Sequence, residues 1–258
     1  MRTYTLLQGN CKKHLPDLAG KVDLIVTSPP YDNLRQYKEY EFDFDSIAPL
    51  LVQSLKPGGV MVWIVGDACI DGSETGTSFR QALSFIDLGF KLHDTMIYMK
   101  TSVAYPDEVR YYQVFEYMFV FSNGSPLTFN PLMDRINKTF GIPTHCSTER
   151  QPDGTTKPRV RAEAITPQLG RRYNVWKIPN ALRINTWHPA IFPLALAMDH
   201  IKSWSNEGNL VLDPFVGSGT TIEAAMRLNR RVVGIEISEE YCVQIRRRMA
   251  WLGTEQQL

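Results

Sequence analysis

Hydrophobic positions along this chain follow two rhythms. Short runs, above all Val60–Val65 and Val22–Thr27, where four apolar or β-branched residues follow Asp23, have the length and β-branched content of strands buried on both faces. Between them Ile47, Leu50, Leu51 and Leu55 recur at helical spacing, which predicts a helix over Phe42–Leu55 ended by Lys56-Pro57-Gly58-Gly59. Strand, helix, strand at this spacing predicts a parallel crossover. The same reading predicts strands at Tyr4–Leu7, Phe90–Met99 and Tyr111–Phe121, and helices at Cys11–Leu18 and Phe79–Leu88, with a loop over Gly72–Gly76. Periodicity fades after Gly124 and returns at Pro193, which suits the first turn of a helix running to Trp204. Strand Asn209–Leu212, helix Ile222–Leu228, strand Val232–Ile237 and helix Glu239–Leu252 complete the pattern. No internal repeat interrupts it.

Composition changes the picture in one place. The 258 residues are 43% hydrophobic with net charge +1, enough for one large α/β domain with a full core. From Gly124 to Trp187, however, ten Lys or Arg stand against four acids, a local excess of six, with Phe129, Phe140, Tyr173, Trp176 and Trp187 interleaved. A basic, irregular, aromatic stretch suits a nucleic-acid backbone and exposed bases; the bland reading is a solvated loop. The chain is thus divided at 1–123, 124–186 and 187–258, the middle part a basic insertion between two halves of one domain. Cys11, Cys69, Cys146 and Cys242 are widely separated and form no CxxC, which points to a reduced, cytoplasmic protein without zinc or a disulfide framework, and no metal site is expected. The N-terminus does not read as a signal peptide, and no apolar run is long enough to span a bilayer.

The chemistry begins where the Asp23–Thr27 strand stops. Pro29 and Pro30 remove two backbone donors and fix φ, so the chain must leave the sheet at Ser28. The carbonyls of Ser28 and Pro29 are left without ladder partners, beside a hydroxyl and just before the ring of Tyr31. Such a group of acceptors with a stacking plate suits a planar amine such as a nucleobase.

A second constellation lies far along the chain. Asn209–Thr221 reads as strand, glycine turn, helix, with Gly217 and Gly219 allowing close approach of a ligand to a helix N-terminus. No Lys follows the glycines and the third glycine of a dinucleotide fingerprint is missing, so a pyrophosphate is not the expected ligand. Glu236 ends the next strand, where a carboxylate can accept from both hydroxyls of a ribose. A nucleoside without pyrophosphate fits, and S-adenosylmethionine is such a ligand, giving S-adenosylhomocysteine as product.

Ser28-Pro29-Pro30-Tyr31 and Asp213-Pro214-Phe215-Val216-Gly217-Ser218-Gly219-Thr220-Thr221 together closely resemble the amino-group DNA methyltransferases. With the catalytic motif near the N-terminus and the cofactor motif near the C-terminus, the order is similar to their permuted β class. The resemblance covers nearly the whole chain. It implies a Rossmann-like, mostly parallel seven-stranded sheet with helices on both faces. It implies catalytic roles for Ser28, Pro29, Pro30 and Tyr31, and cofactor contacts from Asp213, Phe215, Gly217, Ser218, Gly219, Thr220 and Glu236. His188, in His188-Pro189-Ala190, resembles the motif beside the methionine end of the cofactor. Gln8-Gly9-Asn10-Cys11 resembles the opening segment, where the family usually has Asp in place of Asn10; the amide oxygen of Asn10 can still accept from adenine. The basic stretch falls where target recognition lies, which makes Arg135, Lys138, Arg159, Arg161, Arg171 and Arg172 candidates for contact with double-stranded DNA. A cognate restriction endonuclease as partner, and monomer against homodimer, stay open.

Ser at the first position of the catalytic motif resembles cytosine-N4 enzymes, whereas adenine-N6 enzymes usually carry Asp. The leading expectation is therefore methyl transfer to N4 of a flipped-out cytosine. Adenine-N6 methylation is the rival within the class, and a catalytically silent nucleic-acid-binding protein the rival outside it. Asp67, Asp94 and Glu116 fall at predicted strand ends and read as structural, with Asp67 the one placed to line a pocket.

Overall fold

The computed structural model describes residues 4–30, 42–102, 108–143, 148–158, 165–180 and 193–255. Clustering of the chain gives two compact units, 1–130 with 174–258, and 131–173.

The larger unit is built on one eight-stranded sheet. Its strands are β1 (Tyr4–Gln8), β2 (Val22–Thr27), β3 (Leu55–Val65), β4 (Lys91–Met99), β5 (Phe115–Ser122), β6 (Val175–Lys177), β7 (Leu210–Asp213) and β8 (Arg231–Glu236), in the order β1-β8-β7-β2-β3-β5-β4-β6. All pairings are parallel except those of β5 with β3 and β4. The helices are α1 (Cys11–His14), α2 (Phe44–Ser54), α3 (Thr77–Asp87), α4 (Leu194–Trp204), α5 (Thr220–Arg227) and α6 (Glu239–Glu255). The seven expected strands are all present; β6 is the eighth. It was hidden in the basic stretch because three residues are too few for a readable period. Its Trp176 is buried and stacks on His200 at 4.5 Å, so this aromatic belongs to the core and not to an exposed base-binding face.

Two further expectations need correction. Residues 11–18 form α1 followed by a 3₁₀ turn, Leu15–Leu18, because Pro16 has no N–H to continue the α ladder. Lys56–Gly59 is no separate break. Leu55 already pairs with Val22, and the register shifts before Leu24 meets Val60, so the four residues are accommodated as an irregularity of β3.

The central strands explain the packing. Leu24, Ile25 and Val26 of β2 are 0% exposed, as are Val211 and Leu212 of β7. Full burial of each such side chain contributes roughly 1.5–3 kcal/mol relative to exposure. Trp63, Phe85 and Phe121 fill one face between the sheet and helices α2 and α3. At the amino edge Asp23 fastens three strands, accepting from Leu210 N at 2.7 Å and pairing with Lys56 at 2.6 Å.

Among the described residues of the smaller unit, 131–173, no such core is formed. Its described part contains short antiparallel pairs, Arg135–Ile136 with Leu169–Gly170 and Thr148–Arg150 with Thr156–Pro158. Ile136, Phe140, Ile142, Ile165 and Tyr173 are all at least half exposed.

Candidate active site

The order of the sheet reverses between β7 and β2, whose outgoing connections leave toward opposite directions of the sheet. In open α/β sheets the crevice at the carboxyl ends of two such strands is where ligands bind. Val211 pairs with Leu24 and Leu212 with Ile25 in parallel, so β2 and β7 run out at the same edge. The two constellations, far apart in sequence, therefore start side by side.

After β7 the chain turns sharply. Gly217 has φ +52° and Gly219, the N-cap of α5, has φ +83°, both in the left-handed region. A Cβ on Gly219 would also stand 3.2 Å from Ile245 of α6. The turn is fastened from several sides. Val216 N donates to Ile235 O at 3.0 Å, and Gly217 N donates to Oε2 of Glu236 at 2.9 Å. Arg248 of α6 donates to Ser218 O at 2.7 Å and pairs with Glu223. Ser218 and Thr220 hydroxyls lie 3.0 Å apart and are buried.

Glu236 is 7% exposed at the end of β8. Its other oxygen, Oε1, accepts from Ser238 N at 2.9 Å. Burial raises this carboxyl and the charge of Asp213 adds to the rise, while the N–H groups of Ser238 and Gly217 pull it down. Each oxygen accepts one backbone N–H and keeps a second acceptor position. A pair of vicinal hydroxyls matches that donor demand, so the residues present fit a ribose.

Phe215 packs edge-on to Phe42 at 5.4 Å and to Trp63 at 6.4 Å, which ties the turn to the aromatic core. Asn10 caps α1, its side chain accepting from Lys12 N at 2.9 Å. Gly9 N donates to Glu236 O at 2.8 Å, so the segment around Asn10 adjoins the end of β8. Asp213 is 1% exposed and spends its oxygens on Thr27, Thr221 and Phe215 N.

On the other side of the crevice, strand β2 ends at Thr27 and Ser28–Pro30 follow as irregular chain. Pro29 is buried, while Ser28 and Pro30 are half-buried. Tyr31 and His188 lie outside the described residues, as do Arg159 and Arg161. Asp67 caps α3, accepting from Ser78 N at 2.9 Å and from the hydroxyls of Ser78 and Thr75. Glu116 pairs with Lys100 at 2.7 Å, and Asp94 accepts from Asn174 at 3.3 Å.

Within the smaller unit the candidate cations differ. The guanidinium of Arg135 lies 4.6 Å above the ring of Tyr173, which is 67% exposed. Arg172 forms a forked ion pair with Asp134 and holds that carboxyl below its ordinary range. Lys138 and Arg171 are exposed. Thr27 and Thr221 were not singled out from sequence. Each is an ordinary strand or helix residue until Asp213 is seen between them.

A family profile described as DNA methylase matches residues 22–247. The chain is 54% identical over 228 residues to the orphan methyltransferase M.BamHII of Bacillus amyloliquefaciens, covering 86% of each. Among solved structures, the M1.HpyAVI–SAM complex aligns with TM-score 0.66 at 21% identity, over 95% of this chain and 98% of that one. The cytosine-N4-specific PvuII DNA methyltransferase also aligns with TM-score 0.66 at 21% identity, over 92% and 85%. At that identity the two structures establish the methyltransferase fold. No helix among the described residues is long and apolar enough to cross a membrane. Profile, relative and fold agree, and the chain belongs to the N6/N4 DNA methylase family.

Proposed function

We propose that the protein is an S-adenosylmethionine-dependent DNA methyltransferase that methylates N4 of a flipped-out cytosine in double-stranded DNA. The observation that carries this reading is the adjacency of Ser28-Pro29-Pro30 and the Gly217–Gly219 turn at one switch point of the sheet. Glu236 would hold the ribose and the glycine turn the amino-acid part of the cofactor, which supplies a methyl group on a sulfonium centre. Phe215, Ser218, Thr220, Asn10 and His188 are proposed to line the same pocket.

The amine of cytosine is a poor nucleophile because its lone pair conjugates with the ring. The Ser28 hydroxyl and the Pro29 carbonyl can each draw one amino hydrogen aside, which frees the lone pair without a strong base. Tyr31 would stack on the base once it leaves the helix. N4 would attack the sulfonium methyl as its C–S bond breaks, leaving S-adenosylhomocysteine, and the proton then lost from N4 passes to solvent; what remains for the protein to supply is alignment. Ser28, rather than Asp, at the head of the motif supports cytosine over adenine, and the fold is shared with the cytosine-N4-specific PvuII enzyme.

We further propose that 131–173 is the target-recognition part, with the half-buried Arg135, held over the ring of Tyr173 and donating to Arg171 O, as its principal contact and Arg172 as its internal brace. The identity of the product settles the main question. DNA treated with the protein and labelled S-adenosylmethionine, then digested to nucleosides, should yield N4-methylcytosine. N6-methyladenine alone would replace cytosine by adenine in this reading, and absence of label would remove the enzymatic reading.

A further inference from the structure

Asp213 stands at the head of the cofactor motif, yet its carboxylate is turned inward. It is 1% exposed, and donors from three separate places occupy it. Oδ1 accepts from Thr27 Oγ1 at 2.7 Å and from Phe215 N at 3.1 Å, and Oδ2 accepts from Thr221 Oγ1 at 2.6 Å. Thr27 closes β2 immediately before Ser28. Thr221 sits in the first turn of α5 and is 0% exposed. Phe215 belongs to the glycine turn itself. A single carboxylate thus joins the end of the catalytic strand, the cofactor turn and the helix that opens from it.

Pro29 and Pro30 have no N–H to donate, so the bonded Thr27 side chain is an anchor immediately before the acceptor cluster. A buried carboxylate is costly unless fully hydrogen-bonded, and here its bonds all go to groups that place the two turns.

We propose that Asp213 is a positioning residue for methyl transfer: through Thr27 and Thr221 it couples the cofactor turn to the Ser28 turn, so that filling one fixes the place of the other. This rests on the cofactor reading given above. With both oxygens given to these donors, the carboxylate of Asp213 would act through them and not as the cofactor contact that the resemblance implied. Burial pushes its carboxyl up to about 6. The groups around it are the hydroxyls of Thr27 on β2 and Thr221 on α5, the Phe215 N–H, and the carboxylate of Glu236 at the end of β8.

The test compares the wild type with Thr27→Val, which keeps shape and loses the hydroxyl, and with Thr27→Ser, which keeps the hydroxyl. S-adenosylhomocysteine is added and amide hydrogen exchange is followed. In the wild type and in Thr27→Ser, exchange should slow both in peptides covering residues 26–30 and in those covering 220–222. In Thr27→Val only the second region should respond, with affinity for S-adenosylhomocysteine changed by no more than about twofold. Turnover on DNA should fall about tenfold to a hundredfold in Thr27→Val, the size of loss that an ångström of misplacement produces. A Thr27→Val protein that keeps both the response at 26–30 and full turnover would overturn the coupling while leaving the cofactor reading intact. No slowing in either region of the wild type would overturn the cofactor reading and the coupling together.

Discussion

The amide of Gly217 donates to Oε2 of Glu236 at 2.9 Å, so the acid that ends β8 is locked to the turn that follows β7. A carboxylate held this way would meet the proposed sugar without having to search for its rotamer. Glu236→Gln replaces one acceptor oxygen by an amide NH₂ and leaves either the turn or the ligand short of a partner. Affinity for S-adenosylmethionine, measured by calorimetry, should fall about tenfold to a hundredfold, as expected for a hydrogen bond to a charged group. Unchanged affinity would remove Glu236 from the pocket.

Ser28→Ala deletes one of two proposed acceptors and nothing from the cofactor turn. Methyl transfer to DNA should drop on the order of a hundredfold, as when one preorganised hydrogen-bonding group is removed from an active site. Affinity for S-adenosylmethionine should be unaffected. Equal loss of both quantities would point to a folding defect in place of a catalytic one.

Phe215 serves two masters, since its ring meets Phe42 and Trp63 while its backbone belongs to the turn. Phe215→Ala should destabilise the fold by about 2 kcal/mol, below the range for a fully buried ring because Phe215 is half-buried. That corresponds to a melting temperature lower by about 4–8 °C. Cofactor affinity should weaken in the same variant, and calorimetry reads it separately from melting.

Asp213 gives a pH dependence with a definite sign. Burial lifts its carboxyl from 3.8 to about 6 against the hydrogen bonds of Thr221, Thr27 and Phe215. The folded protein therefore keeps a proton that the unfolded chain has already released. Stability from this group is greatest below about 4, falls as pH rises to about 6 and is level above that. Asp213→Asn does not titrate in this window. The stability of the wild type minus that of Asp213→Asn should shrink by on the order of 2–3 kcal/mol between the two ends. A difference that stays constant from acid to neutral pH would show an ordinary carboxyl.

Arg135 and Arg172 should separate cleanly. Arg135→Ala is expected to weaken DNA binding and to reduce the slope of log affinity against log salt by about one, the signature of one lost phosphate contact. Arg172→Ala should leave that slope nearly unchanged and instead make the smaller unit more sensitive to protease, because Asp134 loses its ion pair.

Much of the larger unit could be read in advance because its strands are buried on both faces. Val22–Thr27 needs no partner to be recognised as a strand, and Pro29-Pro30 mark its end without ambiguity. The glycine turn was legible for a similar reason, since Gly217 and Gly219 occupy backbone conformations that other residues avoid. What stayed hidden depends on pairing across the chain. β6 is three residues long and exists only because β4 offers it an edge. Trp176 looked like a base-stacking ring and is a core residue for that same reason. The Thr27–Asp213 bond joins positions 186 residues apart, and neither threonine differs locally from any other. Arg172 and Arg135 were indistinguishable by charge; their partners Asp134 and Tyr173 tell them apart.

Two asparagines bracket the smaller unit, and both are held by the larger one. Asn130 donates its side-chain amide to Lys202 O and Ser205 O at 3.1 and 3.2 Å. Asn174 donates to Thr95 O at 3.2 Å and accepts from Ile97 N at 2.8 Å. None of the described residues between these two asparagines takes part in the ladder of the main sheet. The proposed recognition part can thus diverge in sequence while the strands that carry both turns stay as they are.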